Sequence, residues 1–174
     1  KIQQKYQSFK ISVSHTTRKP RSNEVDGVDY HFISKNEFEK LIKDQKFYEY
    51  AKIFDNYYGT LKQNVDELIK KNDIIFDIDW QGTKQLSKFK HLNLIKIYLI
   101  PPSKIELKQR LIKRNQESIE EINKRFKAFD EDVLHWHDYD YILVNENLEN
   151  CYKQIEQIIS INKKKLTNFS QIVQ

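Results

Sequence analysis

Methionine is absent from these 174 residues, cysteine occurs once, and glycine and proline occur three times each. The single thiol, Cys151, excludes an internal disulfide framework and fits a reducing compartment. Its apolar sequence neighbours point to a buried structural thiol, not a nucleophile. A natural translation product starts with methionine, so a chain that opens on Lys1 is expected to lack its beginning. No stretch approaches the roughly 18 consecutive apolar residues that span a bilayer, and the chain reads as soluble and cytoplasmic, with no membrane partner. There is no internal repeat and no low-complexity linker. Charge of one sign is not dominant: 30 basic residues against 25 acidic ones leave a formal +5, with both signs interspersed. That pattern favours affinity for anions over a dedicated nucleic-acid stripe. The length suffices for one well-formed core with room for a small inserted subdomain. It gives no indication of an oligomer.

The informative stretch runs from Ser12 to Phe32. An alternating segment, Phe9 to Val13, leads into a hydroxyl cluster and then into three cations, Arg18, Lys19 and Arg21, interrupted by Pro20. Arginine forks match phosphate oxygens bidentately, hydroxyls add short hydrogen bonds, and proline stiffens the loop before any ligand arrives. A turn comes next at Val25–Asp29, with Gly27 free to take positive φ. The aromatic strand Tyr30–Phe32 then folds a phenol back toward the same anion.

The residues from Ser12 to Phe32 resemble the monophosphate-binding segment of guanylate kinases, Ser-Val-Ser-x-Thr-Thr-Arg-x-Pro-Arg and then Glu-Val-x-Gly-x-Asp-Tyr-x-Phe. Every defined position is met in order. Further along, Glu49 falls on the family's Phe-x-Glu-x-Ala, and Asn56–Thr60 on Asn-x-Tyr-Gly-Ser/Thr. Asp77–Gly82 falls on Asp-Ile-Asp-x-Gln-Gly, and Val144-Asn145 on Val-Asn. Arg110, Arg114 and Arg125 match the family's lid pattern, although Asn115 stands where glycine is usual.

Taken in order, Ile2, Tyr6 and Phe9 share one helical face, as the tail of a helix that started earlier would. Ser34 and Glu37 form a capping box ahead of a packing helix with the stripe Phe38, Leu41 and Ile42. Phe47–Ala51 reads as a strand, Asn56–Thr60 as a turn, and Val65–Lys71 as a second packing helix. Asp73–Phe76 reads as a central, doubly covered strand that ends in two alternating acids, Asp77 and Asp79, one of which caps the next helix. Leu94–Ile100 is a further strand, stopped by Pro101-Pro102. Ser103–Glu106 and Ser118–Glu121 each begin a helix. His135 and His137 lack metal-ligand spacing and read as a polar helix end. Tyr139–Asn145 is the last strand. The closing helix, Leu148 to about Leu166, ends in Lys163-Lys164-Lys165, where cations favour a helix carboxyl terminus.

The resemblance implies an α/β fold with a P-loop kinase-type parallel sheet flanked by helices. It carries a mixed α+β monophosphate-binding subdomain and a short helical lid. The expected boundaries within the single domain 1–174 are core 1–14, 72–111 and 125–174, subdomain 15–71 and lid 112–124. The implied activity is phosphoryl transfer from Mg-ATP to GMP. Arg18, Arg21, Tyr30 and Tyr58 are expected on the GMP phosphate, and Ser14, Glu49, Thr60 and Asp79 at the guanine. Arg110, Arg114 and Arg125 are expected on the transferred phosphate, Asn145 beside the ATP base, and Asp77 near Mg2+ through water, with no direct protein ligand. The family's loop Gly-x-x-x-x-Gly-Lys-Ser/Thr is not among these residues, since Gly27, Gly59 and Gly82 sit in no such motif. Roughly one strand and one loop, on the order of 20 residues, are therefore expected ahead of Lys1. The alternative is a non-catalytic guanylate-kinase-like protein-interaction module. The Asp77–Gly82 segment and the lid arginines speak against it, because such modules typically lose them.

Overall fold

The computed structural model describes residues 1–113 and 119–172, without the side chains of Glu121 and of residues 164–172. Arg114 and Asn115 therefore lie outside the described residues. The fold is α/β and forms two compact units, Lys1–Leu94 and Ile95–Gln174.

The first unit opens with one helical turn, α1 (Ile2–Lys5), and β1 (Phe9–Ile11). β1 pairs in parallel with β6 (Asp73–Ile75), Phe9 opposite Asp73 and Ile11 opposite Ile75. β6 is shorter than its apolar run, and the chain leaves it at Phe76 so that Phe76 and Ile78 turn onto a core of Tyr48, Val65, Leu86 and Leu92. Between β1 and β6 lies a mixed sheet of β2 (His15–Thr16), β3 (His31–Phe32), β4 (Phe47–Ile53) and β5 (Asn56–Leu61), in the order β3-β2-β5-β4. β2 and β3 run parallel, and the other pairs are antiparallel. α2 (Lys35–Lys43) covers one face. Ser34 accepts the Glu37 N–H at 3.2 Å, as the capping box predicts. Phe38, wholly buried, stacks on Phe47 at 4.5 Å and on Tyr57 at 5.2 Å.

Asn56–Thr60 is strand, not turn. The reversal lies earlier, at Phe54-Asp55, where Ile53 and Asn56 face each other and Phe54 takes φ 55°. Gly59 is there for a close approach instead: a Cβ on it would lie 2.9 Å from both the Glu49 carbonyl oxygen and the Tyr50 Cβ, and 3.0 Å from the Phe38 ring. α3 (Lys62–Leu68) ends earlier than its sequence pattern predicts, and α4 (Trp80–Leu86) completes the unit.

In the second unit β7 (Ile97–Ile100) and β8 (Tyr141–Val144) pair in parallel, Ile97 opposite Tyr141. α5 (Lys104–Lys113) is capped by Ser103, which accepts the Glu106 N–H at 3.1 Å. It packs on α6 (Ile119–Val133) through Lys104 and Lys108, whose ammonium groups lie over the Phe126 ring, and through a Lys104–Asp130 ion pair. A short 3-10 turn, Trp136–Asp138, carries the polar helix end that the sequence predicts. α7 (Leu148–Ile172) buries Cys151 and runs past Leu166, so the Lys163–Lys165 run sits inside the helix and not at its carboxyl end. No helix among the described residues is long and apolar enough to cross a membrane.

Candidate active site

The strand-to-loop passage after β2 delivers the cations. Thr16, fully buried, bonds the Tyr57 carbonyl at 3.0 Å, and its hydroxyl accepts the Arg18 N–H at 3.2 Å. Thr17 receives the Tyr57 N–H at 2.9 Å. Two adjacent hydroxyls thus bolt the root of the loop to β5, which is why the Thr-Thr pair precedes the arginine.

Arg18 is held as a fork. Its two terminal nitrogens bond the two oxygens of Glu24, at 2.9 and 2.8 Å, and one of them also bonds the Lys19 carbonyl at 2.7 Å. Glu24 further accepts the Arg21 N–H at 2.7 Å and stands 3.5 Å from the Arg21 guanidinium. Hydrogen bonding to Arg18 holds the Glu24 carboxyl below the usual range, and its hydrogen bond to Glu24 pushes the Arg18 guanidinium up. The Arg18 fork lies 5.4 Å from the Tyr30 ring centroid, and the neighbouring Tyr58 helps to push it up. Tyr30 and Tyr58 meet edge to face at 6.0 Å. Burial, and then the neighbouring Asp77, raise the Tyr30 phenol. The fold therefore brings Arg18, Arg21, Tyr30 and Tyr58 together. Sequence reasoning misses Glu24, which organises the two arginines; the signal for it is a carboxylate three residues after Arg21 in a basic loop. Gly27 takes φ 75°, which returns the chain so that its N–H bonds the Tyr30 carbonyl at 2.8 Å.

A second cluster is built on β4, β5 and the start of α4. Glu49 is only 3 % exposed, and its Oε1 is buried with no hydrogen-bond partner. Thr60 pairs with Glu49 across β4 and β5, and its hydroxyl and N–H favour the ionised carboxylate. If Thr60 spends its one hydroxyl proton on Glu49, then Ser14, 3.2 Å away, donates to Thr60. Burial first, and Asp79 second, push the Glu49 carboxyl up to about 7. Asp79 caps α4 by accepting the Gly82 N–H at 2.9 Å, and its other oxygen accepts from the Gln81 amide at 3.0 Å. Ser14, Glu49, Thr60 and Asp79 thus form one hydroxyl–carboxylate group, with a buried acceptor left open. Asp77 lies exposed past the end of β6.

In the second unit Arg110 and Asn145 line one cavity of about 240 Å³ with Leu99, Ile100, Pro101, Leu107 and Leu111. Arg110 is braced by Glu106 at 2.9 Å and by the Glu146 carbonyl at 3.2 Å. Arg125 is half-buried on α6. Among the described residues no group of three or more His, Cys, Asp and Glu side chains is arranged to hold a metal ion.

A pair of arginines braced by one carboxylate, together with a buried carboxylate–hydroxyl group, on an α/β scaffold, is the donor and acceptor set of a polar, anion-binding site. The family model described as guanylate kinase matches residues 2–162. The chain is 44% identical over 167 residues to the guanylate kinase of Clostridioides difficile, covering 95% of this chain and 81% of that one. It is 42% identical over 156 residues to that of Maricaulis maris, covering 89% and 72%. It is also similar to the crystal structure of guanylate kinase from Anaplasma phagocytophilum, with a TM-score of 0.75, 30% identity and coverage of 90% and 77%. The chain belongs to the guanylate kinase family, a family of nucleoside monophosphate kinases.

Proposed function

We propose that this protein transfers a phosphoryl group from Mg-ATP to GMP, giving ADP and GDP. The observation that carries the reading is the buried, unpartnered Glu49 Oε1 on the sheet whose strand β2 leads into a preorganised arginine pair. Guanine offers an N1–H and a 2-amino group side by side, so a carboxylate accepts both, whereas adenine has no such donor pair. A wrong base leaves the buried carboxylate without donors, which is how a polar pocket discriminates strongly.

Arg18 and Arg21 bind the monophosphate, with the Tyr30 and Tyr58 hydroxyls donating to its remaining oxygens. Glu24 keeps the Arg18 fork in place before substrate arrives, so little side-chain entropy is lost on binding. Ser14 and Thr60 orient Glu49, and Asp79 orients the amino end of α4 beneath it. The acceptor phosphate is thereby fixed in direction as well as charge-neutralised, the main protein contribution to an in-line phosphoryl transfer. In the second unit the apolar walls around Asn145 and Arg110 suit the base of ATP, and Arg110, Arg114 and Arg125 serve its phosphates.

The described residues fit Mg2+ through water only: Asp77 is exposed and has no clustered ligands around it. Bound with ATP, Mg2+ neutralises charge on the donor oxygens. A single buried cysteine accords with the cytoplasm. The test is an ADP-release assay on the full-length protein with Mg-ATP and GMP, and with AMP as control acceptor. GMP-dependent turnover with little AMP activity is expected, and Glu49→Ala raises the KM for GMP and relaxes selection against AMP. GMP binding without turnover would refute the kinase reading in favour of a binding module.

A further inference from the structure

Two contacts between helix α4 and the strand that carries Glu49 bear on the carboxylate. At the first, Gly82 leaves room for the carboxylate itself: a Cβ built on Gly82 falls 2.7 Å from Glu49 Oε2 and 3.2 Å from Glu49 Cδ, and also 3.2 Å from Ile78 Cβ. Gly82 has ordinary helical φ, so turn geometry does not require glycine here, and an alanine would by itself favour the helix. At the second, the Gln85 side chain pairs with β4 as a strand would, its amide donating to the Tyr50 carbonyl at 2.7 Å and accepting the Tyr50 N–H at 3.2 Å. Tyr50 is the residue next to Glu49, so this clamp fixes the backbone from which the carboxylate projects.

We infer that Gly82 and Gln85 are specificity-determining positioning residues: α4 sets the guanine-reading carboxylate by leaving a hole for it at Gly82 and clamping its strand at Gln85. The inference rests on Glu49 as the base reader. The carboxylate is the movable partner in the Gly82 contact, being the far end of a side chain, whereas Ile78 Cβ and the helix are fixed. A methyl group at Gly82 therefore displaces the reader without breaking the fold. The displaced carboxylate loses its geometry toward Thr60 and toward guanine together.

The experiment is a double-mutant cycle between Gly82→Ala and Glu49→Ala, read as KM and kcat for GMP. In the wild-type background Gly82→Ala raises the KM for GMP by at least about tenfold, the loss that accompanies one displaced charge-assisted hydrogen bond. Its kcat changes far less, and its GMP-over-AMP preference falls by the same factor. In the Glu49→Ala background the same substitution changes the KM by less than about twofold, because the group it displaces is gone. Gln85→Ala behaves in the same way, with a smaller rise. Equal effects of Gly82→Ala in both backgrounds, or an unchanged KM for GMP, overturn the inference. Failure of the kinase reading is seen separately, as absence of GMP turnover in wild type. The cycle is then read in the ligand-free protein, where Gly82→Ala must change the pH at which Glu49 titrates, and an unchanged titration overturns the inference there.

Discussion

Replacing Glu49 by glutamine keeps the shape of the side chain and removes its titration, which isolates the cost of holding that carboxylate in the core. Burial, with Asp79 adding to it, raises the carboxyl from 4.5 to about 7. At about 1.4 kcal/mol per pH unit, the ionised form destabilises the folded protein by about 3 kcal/mol. Proton counting gives the sign. Below pH 4.5 the group is protonated in both folded and unfolded states, and there is no penalty. Between 4.5 and about 7 the folded protein holds a proton that the unfolded chain has lost, so stability falls as pH rises; above about 7 the penalty is complete. Wild type minus Glu49→Gln, measured by urea denaturation at fixed temperature from pH 4.5 to 8, should therefore fall by about 3 kcal/mol, whatever its offset. The difference is needed because His15 works in the opposite sense. Burial lowers its imidazole to about 4, so acidification from 6.5 downward destabilises the fold and flattens the raw curve. Ligand inverts the Glu49 effect. Guanine donors require the ionised carboxylate, so GMP affinity weakens as pH falls below about 7, and calorimetry in buffers of different ionisation enthalpy finds about one more proton released per GMP at pH 6 by wild type than by Glu49→Gln, the phosphate's own proton cancelling in the difference. Parallel pH–stability curves for wild type and Glu49→Gln would refute the account of a buried, strained reader.

Other expectations separate phosphate from base recognition and test the packing. Arg18→Ala weakens binding of any monophosphate, and Glu24→Ala raises the KM for GMP and AMP by similar factors, because it loosens both arginines and leaves the base pocket alone; a change confined to GMP would count against that role. His15→Phe removes the imidazole's titration and leaves a pH–stability curve that declines from pH 4.5 to 7, checked by the same urea series. Gly59→Ala drives a Cβ into the Glu49 carbonyl and the Tyr50 Cβ, so it should destabilise by about 1–3 kcal/mol, the usual cost of overpacking, seen as a lowered urea midpoint. Phe38→Ala empties the centre of the aromatic stack and should cost about 3–5 kcal/mol by the same measurement.

Residue type and spacing along the chain are enough to fix the chemistry carried by neighbouring residues. The capping boxes at Ser34 and Ser103, the positive φ of Gly27 and the strand bearing Glu49 are local consequences of residue type and spacing, and each is found where the sequence places it. The gathering of Arg18, Arg21, Tyr30 and Tyr58 was legible because three of the four sit in one loop whose motif is dense. Asn56–Thr60 misled because glycine beside asparagine signals a turn locally, whereas Gly59 serves a contact with residues 49 and 50 that only the paired strands create. Lys163–Lys165 misled for the converse reason: a helix ends where the downstream residues stop supporting it, and α7 continues beyond the lysines. The environment of each charge was set by packing between distant segments. Burial of Glu49 with one oxygen open, Glu24 as the brace of two arginines, and the hole at Gly82 beneath the reader all depend on segments distant in sequence. Desolvation and steric exclusion act through space, so a linear pattern names the groups and the fold sets their strength.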